Sequence, residues 1–291
     1  MRIRFLTAIL LLAVFTACSS SQPIPTVIPT ATPTPIPPTT SSSITSDKPS
    51  GPYAVILIEP EYKLNIHSGP GPGNDIVGSV SSEDSILMRT GLSSVENGIL
   101  WVEVNTPSGG RGWVNSKYLT EYITPDVFCA DARVLTLLQD LQEAIHSSGG
   151  ELLAPLVSPT HGMDVWLWEK SHPVNIDAAQ ARRIFESTDT YHWGYSPMGG
   201  EPETVGTFKD AVLPELTDTF VDSTEKRCND RNILSFGEPW PSTYANVNFY
   251  QVFRPSKQGE GGLDWNAWLV GVEFVSGQPY LFAMIHFIWT P

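Results

Sequence analysis

Basic residues are scarce: 17 Lys and Arg stand against 31 Asp and Glu, and the formal charge over 291 residues is -14. A surface of that sign repels phosphate backbones and anionic headgroups, which argues against nucleic acid as a partner and against a basic face as the route to a membrane. No apolar stretch approaches the ~20 residues that a membrane-crossing helix needs. Neither Gly-x-Ser-x-Gly nor His-Glu-x-x-His occurs, so two common hydrolase signatures are missing. Cysteine is rare, with 3 in the chain. No Cys/His spacing suggests zinc, and no catalytic residue, metal or cofactor is expected.

What is present begins with a short basic start, Arg2 and Arg4, and an apolar run from Phe5 to Phe15 broken only by Thr7. A basic segment, a short apolar core and small residues before a cut are the pattern of an export leader, residues 1–17. Phe15-Thr16-Ala17-Cys18 resembles the bacterial lipobox, with Phe15 where leucine is usual. The resemblance implies that Cys18 becomes a lipidated N-terminus, placing the chain on the extracytoplasmic side of a membrane. Two acyl chains suffice for stable anchoring at ~0.8 kcal/mol per buried methylene. Residues 18–52, as in Thr32-Pro33-Thr34-Pro35-Ile36-Pro37-Pro38, cannot bury enough apolar surface to fold and read as a disordered, extended stalk. Cys129 and Cys228 are then either two free thiols or a pair, and the exported setting favours the disulfide.

From Tyr53 to Tyr122 the pattern changes to short strands between Gly/Pro/Ser turns: 55–58, 64–67, 85–88, 100–104 and 112–114. That rhythm predicts a small all-β barrel. Leu64-Asn65-Ile66-His67-Ser68-Gly69-Pro70-Gly71, Trp101-Val102-Glu103-Val104 and Gly112-Trp113-Val114 through Tyr118-Leu119 resemble, in order, three motifs of bacterial SH3 domains. The resemblance covers residues 53–122 and implies binding of cell-wall peptides or glycan-linked peptides, or a docking role, without catalysis. His67 stands where the family usually has arginine. Trp101 and Trp113 read as barrel core, and Tyr118 as either packing or groove-lining. The glycines 69, 71 and 73 are not a dinucleotide fingerprint, because Pro70 and Pro72 forbid the helix that motif must open.

Residues 126–291 suffice for an α+β domain with helices on one face of a curved antiparallel sheet. Val134, Leu135, Leu137, Leu138, Leu141 and Ile145 recur at helical spacing in 131–146. Shorter helices are expected at 151–157, 177–186 and 208–220, the last interrupted by Pro214. Strands are expected at 163–168, 191–195, 265–275 and 279–289, the last two joined at Ser276-Gly277-Gln278. The element order is similar to the cone-like nuclear-transport-factor-2 folds. His161-Gly162, Tyr191-His192-Trp193-Gly194, Leu263-Asp264-Trp265 and Ile285-His286-Phe287 resemble a group of bacterial lipoprotein domains without an agreed activity.

A catalytic reading would gather His161, Asp164, His192, Asp264 and His286, and nothing in their spacing forces them together. Asp218, Asp222, Glu225 and Asp230 lack the turn glycine of a calcium loop and read as a solvated acidic face. The candidate ligand-binding residues are His67, Tyr118, His161, His192 and Trp193. The expected function is a lipid-anchored binding protein contacting cell-wall peptide or glycan, or an envelope partner. The alternatives are an envelope hydrolase targeted by the barrel, and a structural docking protein.

Overall fold

Alternating apolar and polar residues, broken by glycine turns, build the first sheet. The computed structural model describes residues 44–46, 51–83, 86–168, 171–221, 224–231, 240–257 and 262–289. The expected leader, Cys18, most of the expected stalk and Asp222 lie outside those residues. From Ile44 onward the described residues belong to one compact unit.

The strands are β1 (Ile44–Ser46), β2 (Pro52–Val55), β3 (Leu64–His67), β4 (Ile76–Val80), β5 (Leu87–Glu96), β6 (Ile99–Asn105), β7 (Arg111–Asn115) and β8 (Leu119–Glu121). They form one eight-stranded sheet in the order β4-β3-β7-β6-β5-β2-β8, with β1 paired to β5. All pairs are antiparallel, and the sheet curls around Ile66, Leu87, Val102, Val104 and Val114.

Trp101 and Trp113 are buried, at 5% and 6% exposure, but stand outside that cluster. Each alternates with an inward valine and so is buried on the other side of its strand. Gly112 in the same motif has a steric reason. A Cβ there would come 2.5 Å from Ile66 Cγ2 and 2.8 Å from the His67 carbonyl oxygen.

Several strands differ from expectation, β4 and β8 being absent from it, and three of the differences have a visible local cause. β2 ends at Val55, because Ile56 and Leu57 turn away to bond Tyr118 and Thr243, with Leu57 at φ 60°. β5 runs on to Glu96 through an irregular register between Arg89 and Ser93, carried by Gly91 at φ 94°. Ile44–Ser46, within the expected stalk, pairs as a strand; Ile and Thr are β-branched residues suited to one.

The C-terminal part begins with α1 (Pro125–Ala130), α2 (Ala132–His146) and α3 (Gly150–Leu153). Asp131 starts α2 by accepting from the Arg133 amide at 2.9 Å. β9 (Met163–Trp166), β10 (Val174–Ile176), α4 (Ala178–Ala181), β11 (Tyr191–Gly194) and β12 (Thr204–Gly206) follow. α4 is capped by a reciprocal Asp177–Gln180 pair and is shorter than the spacing suggested. Pro214 divides the next helix into α5 (Phe208–Ala211) and α6 (Leu213–Thr219). The chain closes with β13 (Glu225–Cys228), β14 (Asn248–Arg254), β15 (Asn266–Val275) and β16 (Gln278–Ile288).

The second sheet is six-stranded, in the order β10-β9-β16-β15-β14-β13, while β11 and β12 pair separately. The β16–β9 pair is parallel, so the sheet is mixed where an antiparallel one was expected. Long crossovers such as the one from β9 to β16 leave no local signal. Helices cover one face of this sheet, burying Phe128, Leu138, Trp268 and Met284 together. The other face is covered by Trp240, Tyr244, Val247 and, from the first sheet's side, Ile56. A disulfide joins Cys129 of α1 to Cys228 of β13, with Cα atoms 5.7 Å apart.

Candidate functional site

Glu273 is the one charged residue of β15 and is only 2% exposed, so its carboxylate must be satisfied internally. His161 Nδ1 stands 2.7 Å from Oε2 and 2.8 Å from Oε1. Ser158 Oγ also donates to this carboxylate, and Thr120 Oγ1 of β8 reaches it at 3.3 Å. His161 Nε2 in turn lies 3.0 Å from the Lys117 carbonyl oxygen. Both ring nitrogens are thus held by polar partners. The amides of Thr160 and His161 close the turn on Ser158 Oγ, each at 3.1 Å. The cluster ties the second sheet to the end of the first.

Above this tie runs a groove. One lobe encloses about 410 Å³ and is lined by Tyr53, Arg89, Leu100, Thr120, Glu121 and Phe274 among others. A second, wider lobe of about 1070 Å³ is lined by Leu57, Ile99, Tyr118, Pro159, Asp164 and Asn175 among others. Leu100, Ser116, Thr160 and His161 line both, so the lobes adjoin. The start of β6 lines the wider lobe with exposed apolar side chains, Ile99 at 41% and Leu100 at 43%. Concave walls with apolar surface and a few fixed polar groups are how small-molecule and peptide sites are built.

Residues 63–120 match the family model of the bacterial SH3 domain. The match covers the first sheet from β3 to β8 and leaves the remainder of the chain outside it. Such domains commonly bind cell-wall components, and on the SH3 side the groove is lined by the β6 start and by the Ser116–Tyr118 turn that precedes β8. No curated protein and no solved structure matches the chain.

Of the candidate residues, Tyr118 and His161 come together in the wider lobe, although 43 positions separate them in sequence numbering. His67 lies elsewhere on the SH3 domain, 8% exposed, with Nδ1 2.9 Å from the Asn74 carbonyl oxygen and its ring edge-on to Trp101. His192 is exposed on β11 beside Glu203, at 3.2 Å, and is not among the groove-lining residues. Trp193 is corrected to a core residue. Its side chain is fully buried, and its indole N–H donates to the Gly206 carbonyl oxygen at 3.0 Å.

Of the set that a hydrolytic reading gathers, His161 and Asp164 both line the wider lobe and share Asn175 Nδ2, which donates to the His161 carbonyl oxygen at 2.9 Å, while His192, Asp264 and His286 do not line it. Asp164 accepts from Asn175 Nδ2 at 2.7 Å and from the Tyr244 hydroxyl, whose ionisation is pushed up mainly by burial. Asp264 accepts from Ser256 and the Lys257 amide, contacts that hold its carboxyl below the ordinary value. His286 is buried between Trp268 and Trp168, with Nδ1 3.1 Å from the Leu167 carbonyl oxygen and Nε2 2.8 Å from Asn266 Oδ1. Ser158 donates to Glu273 and not to a ring nitrogen, which is not the serine–imidazole pair of a triad. Asp218 and Glu225, read as solvated acids, pair with Arg254 and Arg227. Among the described residues no group of acids, His and Cys is placed to hold a metal.

Sequence reasoning missed Glu273, Ser158 and Thr120. The signal available was a lone carboxylate within Val270-Gly271-Val272-Glu273-Phe274-Val275, since charged residues are almost never fully buried unless paired.

Proposed function

We propose that this protein is an exported lipoprotein, acylated at Cys18, which binds cell-wall peptide or glycan-linked peptide in the groove between its SH3 domain and its C-terminal sheet. The observation that carries this reading is the adjoining pair of lobes, about 410 and 1070 Å³, that share Leu100, Ser116, Thr160 and His161. The apolar start of β6 supplies contact area. The Tyr118 ring and the Asn175 and Thr160 side chains supply a few orienting polar groups. The acidic chain supports membrane attachment through lipid in place of a basic face.

The test is retention of the full exported chain on purified wall material at moderate salt. Leu100→Glu places a charge on the wall of both lobes and should weaken retention by about tenfold or more, as for a contact worth ~1.4 kcal/mol or above. Val205→Glu, on β12 at 52% exposure, should leave it unchanged. Absence of retention, or equal retention by the Leu100 variant, removes the proposal. Anchoring is read separately by metabolic labelling with a fatty-acid analogue, which Cys18→Ala should abolish.

A further inference from the structure

Strand β5 has a neighbour on each side at Ser93 and Ser94. One is β6, which sets Val102 opposite Ser93 and Trp101 opposite Ser94. The other is β1, which sets Thr45 opposite Ser93 and Ile44 opposite Ser94. β2 pairs with β5 only at Leu87 and Met88, so without β1 the edge at Leu92–Ser94 would have no strand beside it. The hold of β1 is slight. It is three residues long, Thr45 is exposed, and Thr45 Oγ1 meets Ser93 Oγ at 2.9 Å. An edge of this kind accepts an extended chain through main-chain hydrogen bonds, with little demand on its side chains.

A second observation points to a ligand. Ser94 Oγ and Trp101 Nε1 are buried, the residues being 1% and 5% exposed, and neither atom has a hydrogen-bond partner among the described residues. Opposed residues of an antiparallel pair share a face, so both stand in the cross-strand row that runs Ile44–Ser94–Trp101. A buried donor left unpaired costs free energy comparable to a lost hydrogen bond. The short β1 strand leaves both atoms unsatisfied, whereas an occupant carrying an oxygen into this row would satisfy them.

We infer that the β5 edge at Leu92–Ser94 is a docking site for an extended peptide in trans, and that the chain's own Ile44–Ser46 occupies it in cis. The ligand class is a peptide in strand conformation with small hydroxyl-bearing or β-branched residues and an oxygen acceptor for Trp101 and Ser94. The site is separate from the groove, since none of Leu92, Ser93, Ser94 or Trp101 lines either lobe. A tethered segment competes at a high effective concentration, so the apparent affinity of an outside peptide falls with the fraction of molecules whose edge is free.

The experiment compares the full chain with its Ile44→Pro/Thr45→Pro variant, in which proline removes ladder donors from β1. The probe is a labelled synthetic peptide of residues 41–50, Ser-Ser-Ser-Ile-Thr-Ser-Asp-Lys-Pro-Ser. Exchange of the β5 amides that face β1 should speed up in the variant, and the peptide should bind it about tenfold more tightly than the parent. A peptide with the same two prolines should bind neither. Parental exchange rates in the variant would show that β1 does not hold the edge. Faster exchange without tighter peptide binding would show that the edge accepts no strand in trans. Either result overturns the inference.

Discussion

At the scale of single residues, the tie at Glu273 and the ring of His286 carry the largest consequences. Glu273→Ala leaves the His161, Ser158 and Thr120 donors facing an apolar gap. Breaking a buried pair from one side costs ~3–5 kcal/mol, against less than ~1 kcal/mol for an exposed one. Denaturant unfolding should therefore separate Glu273→Ala clearly from Glu151→Ala, whose carboxylate is 76% exposed beside Arg182. Equal losses would mean that Glu273 is solvated in solution. His286 gives a pH dependence. Burial pushes its imidazole from 6.5 down to about 3. Between those values the unfolded chain binds a proton that the folded chain refuses, so this contribution is complete above pH 6.5 and declines as pH falls toward 3. The slope is about 1.4 kcal/mol per pH unit. Glu215, raised chiefly by burial, acts in the opposite sense: the folded state holds its proton more tightly, and that contribution is lost as pH rises. Between about pH 7 and pH 5 the His286 contribution is a loss of ~2 kcal/mol. His286→Gln should remove most of it, and an unchanged pH slope in that variant would refute the assignment.

At the scale of elements, local patterns carried some strands and helices, and contacts distant in sequence were hidden. The Gly112-Trp113-Val114 motif marked β7 because a glycine is needed where Ile66 and the His67 carbonyl approach. Gly112→Ala should accordingly destabilise the SH3 sheet by ~1–3 kcal/mol through overpacking. Gly98→Ala meets open space and suffers only from its positive φ of 77°, so the smaller loss is expected there in thermal unfolding. If the two variants melt alike, the close approach at Gly112 is relieved by backbone movement. Helix α2 was legible from its 3.6-residue stripe, and the β15–β16 hairpin from Ser276-Gly277, both at positive φ. The parallel β9–β16 pair was not legible, since its register sets Asp164 against Ala283 with no periodic cue. Nor was the groove. Tyr118 and His161 could be nominated singly, but their meeting depends on a tie between Glu273 and a histidine 112 residues away. Trp101 is buried as expected, but an aromatic in a strand signals burial without saying on which face.

At the scale of the whole molecule, neither sheet satisfies its own surface. Leu57 donates its amide to the Thr243 carbonyl oxygen at 2.8 Å, and Asn246 Nδ2 donates to Val55 and Ser82 carbonyl oxygens at 2.8 and 2.7 Å. Glu121 at the end of β8 accepts from the Ser276 and Gly277 amides at 2.8 and 2.9 Å, holding the β15–β16 turn. Ile56 is fully buried in the same cluster as Trp240, Phe249 and Phe282. Unfolding the SH3 sheet alone would strip that cluster of Ile56 and leave several buried donors and acceptors unpaired, each costing ~1–3 kcal/mol. The physical expectation is one cooperative transition across both sheets, with calorimetric and van't Hoff enthalpies close to each other. Asn246→Ala, which removes two of the bridging bonds from one side chain, should lower that single midpoint without dividing it. A thermogram with two resolved peaks, one of them insensitive to Asn246→Ala, would mean that the sheets fold independently. The groove between them would then be a hinge whose walls move apart, and the Leu100→Glu effect on wall retention should shrink with it.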